Sequence, residues 1–315
     1  MFRTTRRDFL LQAASATAGL SATSTMFAQD NKREAGWIDA HSHIWTPDTD
    51  AYPLVKPSLK AGMQPASFTA QELLDLVRPH GVQRVVLIQH NVFHADDNRY
   101  IVDAIRKHPG VFSGVAIVDN KKPHPVKKMK QLKQAGVRGF RIRPENMQDD
   151  NWLKDPGMQA MWKCAADENL AMCPLIDAKF LPSVDAMAKQ FPETRVVVDH
   201  FARTGISGTV EVRDVANLCR LARRKNAFVK VSAFYALGKK KPPYHDLLPM
   251  IRRVIDAYGV DRLMWASDCP YQLTGTNTYG ASIGLIKDGM PELSATDRAA
   301  LLRGTAERVF FAKDA

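Results

Sequence analysis

Arg84-Val85-Val86-Leu87-Ile88-Gln89 is a near-continuous apolar run, and behind it the chain turns to a helical pattern from about Asp97 to His108. A strand apolar on both faces belongs in a parallel sheet covered on both sides, and a helix carrying the chain back supplies that cover. The same beat recurs in both directions. Upstream, Trp37-Ile38-Asp39-Ala40-His41 precedes a helix opened by Thr69, with Leu73, Leu74 and Val77 at helical spacing and Gly81 as the stop. Downstream come Phe112 to Val118 with a helix to Ala135, Val137 to Arg143 with a helix over Gly157 to Asn169, and Leu170 to Ile176 with a helix over Leu181 to Gln190. Arg195 to His200 is followed by a helix near Val212 to Arg224, Ala227 to Ser232 by a helix near Leu247 to Tyr258, and Arg262 to Asp268 by the C-terminal helices. Eight strand–helix units without a linker between them predict an α/β fold, a closed (β/α)8 TIM barrel in a single domain. The competing open sheet usually begins with a Gly-rich phosphate turn, which this sequence lacks.

The composition agrees with a packed enzyme-sized domain. Of 315 residues, 45% are hydrophobic and 24% charged, and the 18 Gly and 18 Pro follow no period, which excludes collagen-like and disordered classes. No apolar stretch is long enough for a polytopic membrane protein. The net charge of +11 admits a polyanion-binding module as an alternative to an enzyme. That alternative calls for aromatic residues among the basic ones. Lys127-Lys128-Met129-Lys130 and Lys239-Lys240-Lys241 have none, and Trp37, Trp45 and Trp265 lie near strand ends instead, so no nucleic-acid partner is expected. Cys164, Cys173, Cys219 and Cys269 show no CxxC spacing and read as free thiols, three of them in the core.

The first residues read as an address. Arg6-Arg7-Asp8-Phe9-Leu10 precedes an Ala/Ser/Thr-rich, mildly apolar run to Ala28, which resembles a twin-arginine (Tat) export signal. This divides the chain into a signal at 1–28 and a barrel domain at 29–315. It also implies the Tat machinery as a partner, a periplasmic location and no stable membrane insertion after cleavage. A short amphipathic anchor is the competing reading, which polar Gln12, Ser15 and Thr17 disfavour.

In a barrel of this kind the chemistry sits at the C-terminal ends of the strands. Strand 1 ends in His41-Ser42-His43, strand 6 in Asp199-His200 and strand 8 in Ser267-Asp268-Cys269-Pro270. Residues two apart on a strand share a face, so His41 and His43 are expected to converge at the mouth, in a ring with His200 and Asp268. Imidazoles around a carboxylate suit metal binding or acid–base work on water.

Asp39-Ala40-His41-Ser42-His43-Ile44-Trp45, Asp199-His200 and Trp265-Ala266-Ser267-Asp268-Cys269-Pro270 resemble the amidohydrolase-related proteins, in particular their lactonase branch. Tyr52-Pro53, Asn98-Arg99-Tyr100, Arg138-Gly139-Phe140-Arg141, Lys230-Val231-Ser232 and Gly304-Thr305-Ala306 extend the likeness, which runs from about Trp37 to Phe310. The resemblance implies a hydrolase opening a sugar-acid or aromatic-derived lactone with an activated water. Asp268 would be the general base, with His200 as the next candidate for that role. His41, His43, His200 and Asp268 would hold a divalent ion or polarise the carbonyl. Arg141 and Arg143 would grip an anionic or polyhydroxylated small-molecule substrate, Lys230 would add positive potential, and Tyr52 and Gln89 would orient the ligand. Decarboxylation and amide hydrolysis are alternatives on the same scaffold.

Two departures from the metal-rich pattern bear on the cofactor. Strand 4 ends in Arg141-Ile142-Arg143 without a bridging ligand, and strand 5 ends in Ile176-Asp177 where many members carry a histidine. Four ligands do not serve two ions, so the expectation is one divalent ion, zinc, with a metal-free site served by arginines as the alternative. Asp177 reads as a helix N-cap, and His90, His94, His124 and His245 as surface loop residues, with His94 the outside candidate for a substrate contact.

Overall fold

The computed structural model describes residues 36–143 and 151–312. The export-signal reading at 1–28 lies outside the described residues. Eight parallel strands form one sheet in the order β1 to β8: β1 (Trp37–Ser42), β2 (Val82–Ile88), β3 (Phe112–Ala116), β4 (Val137–Ile142), β5 (Ala171–Pro174), β6 (Arg195–Val198), β7 (Ala227–Val231) and β8 (Leu263–Trp265). The helices that cover it are α1 (Ala70–Val77), α2 (Asn91–His94), α3 (Arg99–Lys107), α4 (Pro125–Gln134), α5 (Asn151–Lys154), α6 (Pro156–Asp167), α7 (Leu181–Gln190), α8 (Val212–Leu221), α9 (Leu248–Tyr258), α10 (Tyr279–Lys287) and α11 (Ala295–Ala299). The expected α/β barrel is the observed fold.

Local chemistry sets the boundaries. Thr69 caps α1 with Glu72 returning the bond, and Gly81 stops the following turn at φ 83°, a conformation open to glycine. Inside the barrel, Ile38, Ala40, Val86, Ile88, Val115, Cys173, Val197, Met264 and Ala266 form an apolar layer, and Ala306, Val309 and Phe310 from the C-terminal segment pack against it. Between strands and helices a second core contains Trp45, Phe140, Trp162, Trp265 and Phe234, all fully buried.

Several strands are shorter than the sequence suggests, and for β6 and β8 the backbone beyond the strand shows where the chain leaves the ladder. β6 stops at Val198, because His200, Phe201 and Ala202 take left-handed backbone angles of φ 51°, 53° and 52° that no ladder accommodates. β8 stops at Trp265, and Asp268 stands beyond it at φ 63°.

The seam between β1 and β8 is made differently from the other joints. A single bridge pairs Ser42 with Cys269, His43 N donates to Cys269 O at 2.8 Å, and Asp268 N donates to His41 O at 2.9 Å. Below it, the fully buried Asp39 carboxylate accepts from Ser267 N at 2.9 Å, His41 N at 3.1 Å and the Tyr279 hydroxyl at 3.0 Å. One side chain thereby ties β1 to the β8 segment and to α10. Asp39→Ala strands three buried donors at once and is expected to destabilise the protein by about 3 kcal/mol or more, against about 1 kcal/mol for Tyr279→Phe. Urea unfolding of both variants checks this, and equal losses for the two would refute the seam role of Asp39.

Candidate active site

The register of β1 on β2 shifts between Asp39 and Ser42. Ala40 belongs to the interior cluster, yet the next residue, His41, also reaches inward to Arg141 and Lys230. The irregularity supplies the extra residue that turns a second side chain to the same face. Alternation puts His41 and His43 on one face, and this shift turns that face inward beside Ala40. Their ring centroids are 5.1 Å apart.

Beneath the histidines lies a buried ionic network. Lys230 and Asp199 are both fully buried, and Lys230 Nζ meets Asp199 Oδ1 at 3.0 Å. Arg141 Nη2 meets Asp199 Oδ2 at 3.1 Å and His41 Nε2 at 2.9 Å. Burial by itself would raise the Asp199 carboxyl, but Lys230 and Arg141 outweigh it and hold the group well below the usual carboxylate range. His41 is pushed far below its ordinary value by burial and then by Lys230. Each of its ring nitrogens meets a cation and a carboxylate: Nδ1 lies 3.1 Å from Lys230 Nζ and 3.3 Å from Asp199 Oδ1, and Nε2 lies 2.9 Å from Arg141 Nη2 and 3.4 Å from Asp268 Oδ1.

His43 is lowered to about 3 by burial and by Arg141. Its Nδ1 donates to Ile88 O at 2.9 Å, which leaves the Nε2 lone pair facing inward. Asp268 completes the group. Its Oδ1 lies 3.4 Å from His41 Nε2 and 3.5 Å from His43 Nε2. Its Oδ2 accepts from the Tyr235 hydroxyl at 2.7 Å and lies 3.7 Å from His200 Nε2. Burial keeps the Tyr235 phenol well above its ordinary pKa, so the phenol is the donor. Burial lowers His200, whose Nδ1 is bonded to Ser232 Oγ at 2.7 Å.

His41, His43 and Asp268 bring one ligand atom each within 4.8 Å of one another, and among the described residues they form the group suited to a metal ion. His200 stands beside that group, against the other oxygen of Asp268. Lys230 lies under His41, and Arg141 between His41 and Asp199. Its Nε is buried without a partner among the described residues. Arg143 is exposed at the end of β4. Tyr52 and Gln89 are engaged elsewhere. The Tyr52 hydroxyl donates to Asp103 at 2.9 Å, and the Gln89 amide donates to Ala95 O and Asp97 O at 3.1 and 2.8 Å, holding the loop after β2.

Three sequence expectations change here. His90 and His94 are buried instead of superficial: His90 bonds the Tyr271 hydroxyl and stacks on Phe93, and His94 Nδ1 donates to Pro53 O at 3.2 Å. Loops folding over the mouth enclose them. Asp177 makes no capping bond and pairs with Arg203 at 3.1 Å. Tyr235, Ser232 and the structural weight of Asp199 were not singled out from the sequence, since none sits in a motif with its partner. The free thiols follow expectation, with Cys164, Cys173 and Cys269 buried.

Comparison with known proteins places this geometry. A family model described as amidohydrolase matches residues 38–312. An L-fucono-1,5-lactonase of Burkholderia ambifaria is 32% identical over 249 residues, 78% of this chain and 84% of that protein. A 2-pyrone-4,6-dicarboxylate hydrolase of Comamonas testosteroni is 30% identical over 276 residues, 84% of this chain and 86% of that one. Among solved structures, an amidohydrolase from Burkholderia multivorans with bound zinc superposes with a TM-score of 0.73 at 21% identity, covering 89% of this chain and all of that one.

The buried imidazoles make stability depend on pH. His43 and His90 fall to about 3 and about 2, both chiefly through burial, from an ordinary 6.5. The unfolded chain then binds more protons than the folded one below pH 6.5, so their contribution is complete above that value and is lost as pH falls. Each accounts for about 1.4 kcal/mol per pH unit across the window. Asp39, raised to about 6 by burial, acts oppositely but only between 3.8 and 6, and one carboxyl does not outweigh two imidazoles. The urea midpoint is expected to decline steadily from pH 7 to pH 4.5. A flat or rising profile would show that these rings are protonated in the folded protein.

Proposed function

The chain belongs to the amidohydrolase family, and on that premise we propose that it is a lactone hydrolase in which Asp268 activates the attacking water. The observation that carries this reading is the placement of Asp268 Oδ1 between His41 Nε2 and His43 Nε2, with the second carboxylate oxygen already engaged. The lactonase relatives, at 30% and 32% identity, support the reaction class.

A water beside Oδ1 gives its proton to Asp268 as its oxygen adds to the lactone carbonyl carbon. Arg141, the cation nearest to Asp268 and the histidines, stabilises the negative charge that develops on the acyl oxygen or holds a substrate carboxylate. When the ring C–O bond breaks, the alkoxide takes the proton back from Asp268, and a hydroxy acid leaves. Neutral His200, 3.7 Å from Oδ2, is the second group able to carry that proton. Arg141, Arg143 and Lys230 favour a substrate that is anionic or rich in hydroxyls.

The donor set fits one divalent ion. His43 presents a lone pair fixed by Ile88, His41 is neutral, Asp268 is a carboxylate, and three protein ligands leave an open position as in catalytic zinc sites. A bound zinc would polarise the carbonyl or acidify the water. The contact between Arg141 and His41 Nε2 favours a second reading, in which the guanidinium supplies the positive charge beside that nitrogen and no ion is required. About one ion per chain and activity lost on chelation are expected for the first. A metal-free protein indifferent to chelators establishes the second.

Proton release from a panel of sugar-acid and aromatic-derived lactones tests the activity, and turnover of none of them, or loss of carbon dioxide instead, overturns it. Asp268→Asn retains the shape but takes no proton, so turnover should fall roughly 10²–10⁴-fold with folding intact. A folded, metal-replete Asn variant within about tenfold of wild type would transfer the base role to His200.

Export rests on Arg6-Arg7 ahead of the apolar run. Replacing both arginines by lysine is expected to hold the protein in the cytoplasm, and undiminished periplasmic protein would refute the twin-arginine route.

A further inference from the structure

The two oxygens of Asp268 stand in different surroundings. Oδ1 faces the imidazole pair at 3.4 and 3.5 Å, whereas Oδ2 receives the Tyr235 hydroxyl at 2.7 Å with His200 Nε2 held off at 3.7 Å. The backbone fixes the Asp268 main chain through its bond to His41 O, but it does not fix rotation of the carboxylate about its own axis. Nothing in the His41 and His43 contacts does so either, because both distances exceed a normal hydrogen bond. The phenol makes the one short bond the carboxylate has among the described residues.

Tyr235 is well placed to hold this position. It lies in the short 3-10 turn Phe234–Ala236 directly after β7, is itself half-buried, and follows Phe234, which is fully buried against Tyr244. The same strand end supplies Lys230 beneath His41 and Ser232 against His200. β7 and its loop thus support three different groups of the site, each through one polar atom.

We propose that Tyr235 is the positioning residue of the reaction: it pins Oδ2 so that Oδ1 alone faces the water, and keeps the carboxylate from turning to His200. This rests on the lactone-hydrolase reading for its kinetic consequence but not for its structural one. A substrate could still bind when the phenol is gone, since Tyr235 acts on the base and not on the ligand. The side chain is a positioning group and not a reactant, so its whole effect must pass through Asp268.

Tyr235→Phe removes the hydroxyl and keeps the ring. Its kcat is expected to fall about tenfold with KM within about twofold, as loss of a single hydrogen bond to a charged group predicts. In an Asp268→Asn background the same change should alter the residual rate by less than about twofold, because the carboxylate it serves has gone. Crystals of Tyr235→Phe should show the Asp268 carboxylate rotated, with Oδ2 closed on His200 to hydrogen-bond distance. An unchanged kcat, a rise in KM that accounts for the loss, an equal loss in both backgrounds, or an unrotated carboxylate each overturns the proposal. Should wild type open no lactone, the hydrolase reading fails, while the crystal comparison still decides the role of Tyr235.

Discussion

Asp199 is the charge on which the rest of the site stands. Lys230 and Arg141 bring two cations into the barrel at almost no solvent exposure, and an uncompensated buried charge costs several kcal/mol even after relaxation. One carboxylate, also fully buried, answers both, with an oxygen for each. Burial and the Lys230 charge keep His41 neutral above it. Removing Asp199 would leave two like charges facing each other across an imidazole, which no repacking of apolar neighbours repairs.

Above that network, work is divided by strand. β1 and the segment beyond β8 bring the groups that meet water, β4 brings the cation nearest to them, and β7 with its loop brings supports. The division follows from barrel geometry, in which neighbouring strand ends face one another across a narrow mouth. Aromatic rings close one side of it: His90 bonds Tyr271, and Trp45, Phe93 and Tyr271 surround it within about 6 Å of ring separation. Such a wall shields that side of the mouth from bulk solvent and strengthens the polar contacts behind it.

Much of this was legible in the sequence, for reasons that particular residues make plain. Runs such as Val85-Val86-Leu87-Ile88 and Val196-Val197-Val198 are short and β-branched, as strands buried on both faces are, and eight of them alternating with helices favour a closed barrel over an open sheet. His41, His43 and Asp268 were legible because a strand end in a barrel has a known destination. What escaped was whatever depends on a loop crossing to meet another. His90 and His94 looked like surface residues because the sequence does not show the rings and the Pro53 carbonyl that cover them. Tyr235 lies 33 residues from Asp268, and Asp39, 228 from Ser267, looked like an ordinary residue inside a motif. Strand ends were overextended at His200 and Asp268, where left-handed backbone turns the chain out of the ladder.

The seam joining Ser42 to Cys269 connects positions 227 apart in the chain. It is also where the reacting groups stand, since His41, His43 and Asp268 flank it on both sides. A chain with seven strands paired and the eighth unplaced therefore holds neither the imidazole pair nor the carboxylate in register, whatever else it has buried. Turnover then reports one event of assembly, the meeting of the two ends of the sheet. Partly assembled molecules contribute nothing to it, so specific activity counts finished barrels.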